Sequence, residues 1–298
     1  MTETATEATA APPPSRVLQA LAWMTGALAS FTLVAIAARE AGRQIDTLQI
    51  MFYRALISLG IIVALAGLSG HGIGMLRTAR LRLHTLRSGI HFLAQFSWLY
   101  ALTLIPLAQL VALEFTAPLW VALLAPLLLG ERVTRARLLA AVIGFAGTMM
   151  VIRPGGASAN LGTMLALLAA VGFAVSMITT KQLTRTESAM TILLYMTAIQ
   201  TALAAVIAYP SIALPDAATL FWVSLVGICG LTAHFSLVRA FAMADAIVVA
   251  PMDFLRLPLM ALLGAWAYAE PLNPVVLLGG CVVVLANLVN VWSERRRV

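Results

Sequence analysis

Charge is scarce in this sequence. Charged residues make up only 10% of its 298 residues, whereas an ordinary soluble domain carries about 25%. Hydrophobic residues make up 61%, and the mean hydropathy is +0.96. Such a chain cannot cover a water-exposed surface with polar side chains, whereas a bilayer requires only that backbone polar groups be paired within helices. The sequence therefore predicts an all-α integral membrane protein.

Cysteine and lysine are also rare. Cys229 and Cys281 both fall inside apolar segments, so they indicate no disulfide or metal framework. The single lysine, Lys181, follows a threonine and not a glycine-rich phosphate loop, which argues against ATP hydrolysis by this chain. We therefore expect no cofactor and no metal, and we expect that a gradient drives whatever process the chain performs.

Motifs of an intramembrane enzyme are missing too. The sequence has no H-E-x-x-H pattern and no G-x-S-x-G pattern in a usable context. An enzyme acting on a lipid or a peptide is thus an alternative class without supporting chemistry. A channel or a structural membrane subunit is another alternative, which saturable flux and counterflow would distinguish from a carrier.

Ten apolar segments follow a polar N-terminal tail, and each is close to the length that spans a bilayer. We expect residues 1–16 to be a disordered cytoplasmic tail, 17–155 and 156–293 to be two five-helix halves, and 294–298 to be a basic cytoplasmic tail. The expected spans are 17–38, 47–68, 86–104, 108–129, 137–152, 161–180, 189–209, 218–242, 246–268 and 274–292.

Basic residues are distributed unevenly between the two ends of these spans. If the N-terminus lies inside, most of the 19 Lys and Arg residues are cytoplasmic, and only Arg39, Arg43 and Arg153 lie on the opposite side. The positive-inside rule therefore predicts that both termini are cytoplasmic. This distribution also explains the net charge of +7. Because no basic run is interleaved with aromatic residues, we expect no nucleic-acid partner.

The sequence contains an internal repeat. At an offset of 139, residues 93–102 (LAQFSWLYAL) lie over 232–241 (TAHFSLVRAF), and the same offset superposes Glu114 on Asp253 and Glu131 on Glu270. Each half has five spans, an odd number, so the second copy must cross the membrane in the opposite direction. Inverted repeats of this kind are typical of secondary transporters that surround a central site.

Each half also carries a proline within its fourth span, Pro118 or Pro258, followed by the terminal glutamates Glu131 or Glu270. The next span in each half is rich in glycine: Gly144, Gly147, Gly279 and Gly280. These features resemble the drug/metabolite transporter superfamily, EamA type. Ala269 departs from the family pattern, which has glycine before the terminal glutamate.

The resemblance implies a ten-helix transporter of the bacterial inner membrane, working by alternating access around a cavity lined by spans three, four, eight and nine. Within the superfamily the chain is most similar to the YddG-like amino-acid exporters. This similarity implies export of aromatic or hydrophobic amino acids, with nucleosides or cationic drugs as the alternative. We expect a small-molecule substrate and the lipid bilayer as partners, and a monomeric state.

Four charged residues lie well inside apolar spans. They are Arg54, Glu114, Asp253 and Arg256, and each costs roughly 2.5 to 3.5 kcal/mol if it is unpaired in the bilayer. They should therefore face a polar cavity or pair with one another. Asp253 and Arg256 have the i, i+3 spacing of an intrahelical pair. Glu114 has two readings: it binds a substrate ammonium or a proton, or it pairs structurally with Arg54.

A polar stripe follows the third span. His91, Gln95 and Trp98 have i, i+4, i+7 spacing, so they share one helix face. His234 takes the place of Gln95 in the repeat, and we expect the two stripes to meet near the centre, either lining the cavity or simply packing helix to helix. His84 belongs to the preceding basic loop and is expected to be solvated.

Four further residues are candidates for mechanical roles. Tyr100 and Arg239 correspond in the repeat near opposite membrane surfaces, where they could act as gate or anchor residues. Pro118 and Pro258 each remove a backbone hydrogen bond at a matched depth of their helices. We expect kinks or unwound carbonyls there.

Overall fold

The computed structural model describes residues 14–68, 77–129, 135–153, 160–243 and 252–295. Within these ranges the chain is helical and forms no strand, which confirms the all-α class. The helices are α1 (Pro14–Ala41), α2 (Thr47–Leu68), α3 (Leu81–Leu104), α4 (Leu107–Glu114), α5 (Ala117–Leu129), α6 (Arg135–Ile152), α7 (Leu161–Leu183), α8 (Ala189–Ala208), α9 (Ala217–Met243), α10 (Arg256–Tyr268) and α11 (Pro274–Arg295). A single turn of 3₁₀ helix, Tyr209–Ser211, follows α8.

Many of these helices suit a bilayer. Two shorter apolar stretches, Leu138–Ile152 and Pro274–Val289, lie in α6 and α11. Six stretches are long and apolar enough to cross a membrane: Leu18–Ala41, Thr47–Leu68, Leu107–Leu128, Leu161–Leu183, Ala189–Ala208 and Ala217–Leu237. The count of ten spans stays a proposal, since parts of the chain that it needs lie outside the described residues.

The fourth span is interrupted between α4 and α5, next to Pro118, where a kink or unwound carbonyls were expected. Pro118 is the second residue of α5, where its missing N–H costs no helical hydrogen bond. The Thr116 hydroxyl donates to the Leu113 carbonyl (2.7 Å), and the freed Phe115 carbonyl accepts from Asn287 of α11 (2.7 Å). Backbone groups freed by the break are thus paired inside the protein, as a bilayer requires.

Helix contacts follow a reciprocal pattern. The first helix of each expected half packs on the third helix of the other half: α1 contacts α9, and α7 contacts α3. The other helices pack on their counterparts, α2 on α8, α4 on α10 and α6 on α11. A Cβ added at Gly147 or at Gly279 would lie 2.7 Å from the carbonyl oxygen of the other glycine. Contacts that are this symmetrical support the proposal of two inverted repeats. We call the end of the bundle where α1 begins the N side and the opposite end the far side.

Candidate functional site

A polar cavity lies between the helices at mid-depth. Its lining includes residues from both expected halves, and its enclosed volume is about 30 Å³. Small-molecule sites typically enclose about 300–1,000 Å³, so the cavity in this conformation has room for water-sized groups only. A whole substrate therefore enters only when the helices move apart. The principal polar lining residues are Arg54, Ser58, His91, Gln95, Gln200 and His234.

Arg54 of α2 is the centre of a hydrogen-bonded network. It is 8% exposed, and its Nη2 donates to Oε1 of Gln95 and to Oε1 of Gln200 (3.0 Å). Gln200 Nε2 lies 2.9 Å from His91 Nδ1. Among the described residues no carboxylate lies within ion-pair distance of Arg54, so the expected pair with Glu114 is wrong. Two neutral amide oxygens are available at closer range, and they hold the guanidinium instead.

Gln200 is a cavity residue that the sequence analysis missed. It is 1% exposed and lies on α8, within an otherwise apolar span. A buried amide in such a span signals a polar partner across the helix interface. The repeat gave no polar counterpart to draw attention to it, whereas His91 and Gln95 stood out through their stripe.

The two predicted stripes lie opposite each other. The rings of His91 and His234 have centroids 6.4 Å apart, and the ring of Phe31 on α1 meets His234 edge-on at 5.6 Å. His234 is exposed to the cavity, whereas His91 is buried. The Arg256 guanidinium lies over the ring of Phe31, 4.7 Å from its centroid. Phe31, which the sequence analysis also missed, thus contacts both His234 of the cavity and Arg256 of a second polar cluster.

This second cluster is an ion pair between the halves. Arg256 Nη2 donates to Glu114 Oε1 (2.9 Å), and Trp98 Nε1 donates to Glu114 Oε2 (2.9 Å). Asp253 Oδ2 is farther from the guanidinium, at 3.6 Å. The intrahelical contact expected for Asp253 and Arg256 therefore exists, but the closer partner of the arginine comes from α4. Each oxygen of Glu114 already accepts one hydrogen bond, so a substrate ammonium would share this carboxylate with Arg256 and Trp98 in this conformation.

The remaining predicted residues lie apart from the cavity. Tyr100 is 39% exposed on α3, and Arg239 is exposed on α9 with its guanidinium 5.6 Å from the ring centroid of Trp23. Pro118 and Pro258 lie in the first turns of α5 and α10, just past Glu114 and Asp253 in sequence. Gate, anchor and hinge roles for these four residues stay predictions.

His84 was expected in a solvated loop, and this expectation is wrong. Helix α3 begins at Leu81, earlier than the expected span, and this extra turn carries His84 into the interface with α8. The imidazole is 0% exposed and stacks on the Tyr195 ring at 4.6 Å. Apolar periodicity could not place this turn inside, because its basic residues look like those of a loop.

A third polar cluster closes the far side. Arg39 of α1 donates to Glu270, which follows α10, and to the carbonyl oxygens of Leu102 (2.8 Å) and Ile105 (3.1 Å) at the end of α3. The other oxygen of Glu270 accepts from the backbone N–H of Leu107 at the start of α4 (2.8 Å). One ion pair therefore ties the ends of four helices, from both expected halves, together.

The turn before Glu270 is tight even though it lacks glycine. Ala269 adopts the left-handed conformation (φ 53°), and the backbone N–H of Glu270 returns to the Gly264 carbonyl (3.0 Å). A Cβ added at Gly264 would lie 2.3 Å from Glu270 Oε2. Glycine at position 264 thus leaves room for the carboxylate, and an alanine at φ > 0 costs roughly 1–2 kcal/mol. The turn is therefore formed although Ala269 departs from the glycine of the family pattern.

A bundle of apolar helices that encloses buried arginine, histidine and glutamine side chains is the architecture of a membrane transport protein. Among the described residues no cluster of three or more His, Cys, Asp or Glu side chains could hold a metal ion. The site therefore offers hydrogen bonds and charge for binding.

Comparison with known proteins agrees with this class. Residues 18–153 match the model of the EamA-like transporter family. The riboflavin transporter of Brucella anthropi is 32% identical over 89% of this chain and 95% of its own length. The S-adenosylmethionine uptake transporter of Rickettsia felis is 27% identical over 94% of each chain. The pseudopaline exporter of Pseudomonas aeruginosa is 26% identical over 87% of this chain and 92% of its own.

A solved crystal structure shares the fold with a TM-score of 0.65, at 19% identity, over 95% of this chain and 98% of the other. The chain belongs to the EamA-like transporter family, within the drug/metabolite transporter superfamily. It is therefore a multi-pass membrane transporter of a small molecule and not an enzyme.

Proposed function

We propose that this chain is a secondary transporter that moves riboflavin, or a closely related uncharged heterocycle, across the bacterial inner membrane with both termini in the cytoplasm. The observation that carries this proposal is the chemistry of the cavity lining, which presents a guanidinium, two imidazoles and two amides and no carboxylate. Such a lining supplies many hydrogen bonds and, among the described residues, no carboxylate to pair with a cationic substrate.

The expected alternative, export of an amino acid, fits this lining less well. The α-ammonium of an amino acid needs a carboxylate or several acceptors, and the two oxygens of Glu114 are already held by Arg256 and Trp98. A cationic drug meets the same obstacle, because Arg54 stands in the cavity without a carboxylate among the described residues. An acceptor-rich ring edge is the natural partner of the Arg54 guanidinium and the two amides.

The aromatic groups around the cavity favour a flat ring. The ring of His234 lies 5.6 Å from that of Phe31 and 6.4 Å from that of His91, centroid to centroid. Planar faces at this spacing contribute about 0.5–1.5 kcal/mol per contact beyond burial. The 32% identity to the riboflavin transporter of Brucella anthropi, along 89% of the chain, supports the same choice. The relatives named for uptake favour inward movement over the export that the sequence led us to expect.

The mechanism that follows is alternating access between two halves. The ion pair of Glu114 and Arg256 joins the interrupted fourth span to its counterpart next to the cavity, and the ion pair of Arg39 and Glu270 holds the far side closed. Opening the far side requires that the second pair separate while the first still connects the halves. The substrate, once it occupies the hydrogen bonds of Arg54, frees Gln95 and Gln200 to move with their helices.

Counterflow in proteoliposomes tests the proposal. Vesicles loaded with unlabelled riboflavin should accumulate labelled riboflavin, whereas S-adenosylmethionine, adenosine, phenylalanine and a cationic drug should not replace it. Gln200→Met should slow riboflavin exchange by about tenfold, since losing a hydrogen bond to a charged group costs about 1.5–3 kcal/mol. Thr201→Val is the matched control, because within the described part of the chain its hydroxyl bonds to the Thr197 carbonyl of its own helix (2.7 Å) and to no cavity residue.

Three outcomes would overturn the proposal. Exchange of phenylalanine but not riboflavin would support amino-acid export instead. Flux without counterflow would indicate a channel. Equal loss in Gln200→Met and Thr201→Val would mean that the variants damage the fold and that the cavity network has no specific role in transport.

A further inference from the structure

Three neighbouring side chains on α3 carry buried polar atoms that have no hydrogen-bond partner among the described residues. His84 is 0% exposed, Arg87 is 7% exposed and Ser88 is 1% exposed. The unpartnered atoms are Nδ1 and Nε2 of His84, Nη1 of Arg87 and Oγ of Ser88. An unsatisfied buried polar group costs about 1–3 kcal/mol, more when it is charged, so four such atoms in one place need an explanation. We call these three residues the α3 station.

The α3 station lies on the same helix face as the cavity residue His91. It faces α7, where Arg87 Nε donates to the Thr180 hydroxyl (2.5 Å), and α8, where Tyr195 stacks on His84. At 1.5 Å per residue, His84 lies about 10 Å from His91 along the helix, toward the N side. The station itself is buried and lies outside the cavity lining in this conformation. The polar face of α3 thus continues from the cavity for about two turns, and a ligand reaches the station when the helices move apart.

The charges around the α3 station are nearly balanced. Arg87 is cationic, and the carboxylate of Glu187 lies 3.9 Å from His84 Nε2, where it accepts from the Thr78 hydroxyl (2.6 Å). A ligand with a full negative charge would face Glu187, and a cation would face Arg87. The unpartnered set offers donors and acceptors side by side, which is the pattern that matches a row of uncharged hydroxyl groups.

We infer that the α3 station binds a polyhydroxyl chain attached to the ring system of the substrate. This inference rests on the proposed function, since riboflavin joins a flat tricyclic ring to a five-carbon polyol chain. The ring lies in the cavity beside Phe31, His91 and His234, and the chain extends along α3 toward the N side. Arg87, Ser88 and His84 then hydrogen-bond successive hydroxyl groups and are specificity-determining residues.

The matched segment of α9 has no such station. At the offset of 139, His84, Arg87 and Ser88 correspond to Val223, Val226 and Gly227, and both valines are buried (0% and 2% exposed). The repeat therefore explains the helix position but not the polar residues on it. Polar side chains that occur in one half only, next to the cavity, indicate a ligand that is itself asymmetric.

Competition with two flavins tests the inference. The competitors are riboflavin and the same ring system with a methyl group in place of the polyol chain, both measured against labelled riboflavin in proteoliposomes. In the wild type, riboflavin should compete at least about tenfold better than the chainless ring, which corresponds to one or two hydrogen bonds. Ser88→Ala and Arg87→Gln should each weaken riboflavin by about threefold to tenfold and leave the chainless ring unchanged.

Ser97→Ala is the matched control, because Ser97 lies on the same helix, is 0% exposed and also has an unpartnered hydroxyl, but lies about two and a half turns from Ser88 on the opposite helix face. It should leave both competitors unchanged. Equal competition by the two flavins in the wild type would overturn the inference while transport of riboflavin stands. Absence of any riboflavin counterflow would overturn the proposed function itself. Equal weakening of both flavins in Ser88→Ala, with a monodisperse protein, would reduce the station to a packing role.

Discussion

The N-terminal halves of α3 and α9 hold matched places in the repeat but have opposite chemistry. In α3 this half carries His84, Arg87 and Ser88 with unpartnered polar atoms. In α9 it carries two buried valines and Gly227, whose added Cβ would lie 3.1 Å from the Arg54 carbonyl. One helix carries unpartnered polar groups near the cavity, and the other is packed tightly against α2. The proposed polyol site thus depends on residues that differ between the matched helices and not on those that the repeat shares.

The largest expected effect comes from exchanging the residues at the matched positions 87 of α3 and 226 of α9. Val226→Arg would place a guanidinium in the packed interface of α9 without a counter-charge, so we expect a loss of several kcal/mol in stability and little folded protein. The reverse change, Arg87→Val, removes unpaired polar groups and should leave the folded yield intact while transport falls. Melting temperatures in detergent, measured beside transport, check both. A stable Val226→Arg protein would show that the α9 interface is hydrated and that the contrast is false.

The next largest effect is expected at Glu114, and it should exceed the effect at the matched carboxylate Asp253. Glu114 accepts hydrogen bonds from the Arg256 guanidinium and the Trp98 N–H, both at 2.9 Å. Asp253 lies 3.6 Å from Arg256, and its Oδ1 has no partner among the described residues. Glu114→Gln should therefore reduce exchange by tenfold or more, since about 1.5–3 kcal/mol is lost with a charged hydrogen bond. Asp253→Asn should reduce it by less than about threefold. Equal effects of the two changes would mean that they share the guanidinium equally.

A smaller effect is expected at the far side, where Arg39 and Glu270 can be studied by a double-mutant cycle. Arg39→Gln, Glu270→Gln and the double variant should give a coupling energy of about 1–3 kcal/mol in thermal unfolding, because the pair is mostly buried and also holds backbone groups. Additive effects would show that Arg39 and Glu270 do not stabilise the far side as an ion pair.

Gly264→Ala tests the position of the Glu270 carboxylate through a steric effect. Its Cβ would lie 2.3 Å from Glu270 Oε2, whereas a Cβ at Gly60, the matched control, meets nothing within 4 Å. We expect Gly264→Ala to lower the melting temperature by several degrees, as about 1–3 kcal/mol of overpacking does. Gly60→Ala should be neutral or slightly stabilising. A Gly264→Ala protein as stable as the control would place the carboxylate elsewhere.

The smallest effects are expected at the matched pair Tyr100 and Arg239. Both side chains are exposed, and neither touches the cavity. Tyr100→Phe and Arg239→Gln should each change stability by less than about 0.5 kcal/mol and change exchange by less than about twofold. A large loss of exchange in either variant would assign it the gating role that its place near a membrane surface suggested.

Much of the fold follows from the sequence because its signals are local. Apolar segments of fixed length give the helices, and the offset of 139 gives the correspondence of α3 with α9 and of Glu114 with Asp253. The stripe of His91, Gln95 and Trp98 was visible because residues four apart share a helix face. Partners across helices were harder to predict, since a buried charge only requires some partner and does not specify which one.

Two examples show this difference. Arg54 was expected to meet Glu114, but it lies among neutral amides, and Glu114 is held by Arg256 from the other half. Gln200 and Phe31 complete the cavity without any repeat or motif to mark them. Each depends on the rotation of one helix against another, which a composition or a spacing does not contain.

The sequence by itself determined the solvent of this protein, its helical class, its internal repeat and its family, because these depend on apolar length and on residues matched in register. Tertiary structure alone decided which charges pair, which side chain pairs the Phe115 carbonyl freed in the fourth span, and that His84 is buried. These outcomes depend on the distances between helices that are far apart in the chain, where a difference of one or two ångströms decides whether a guanidinium meets a carboxylate or an amide.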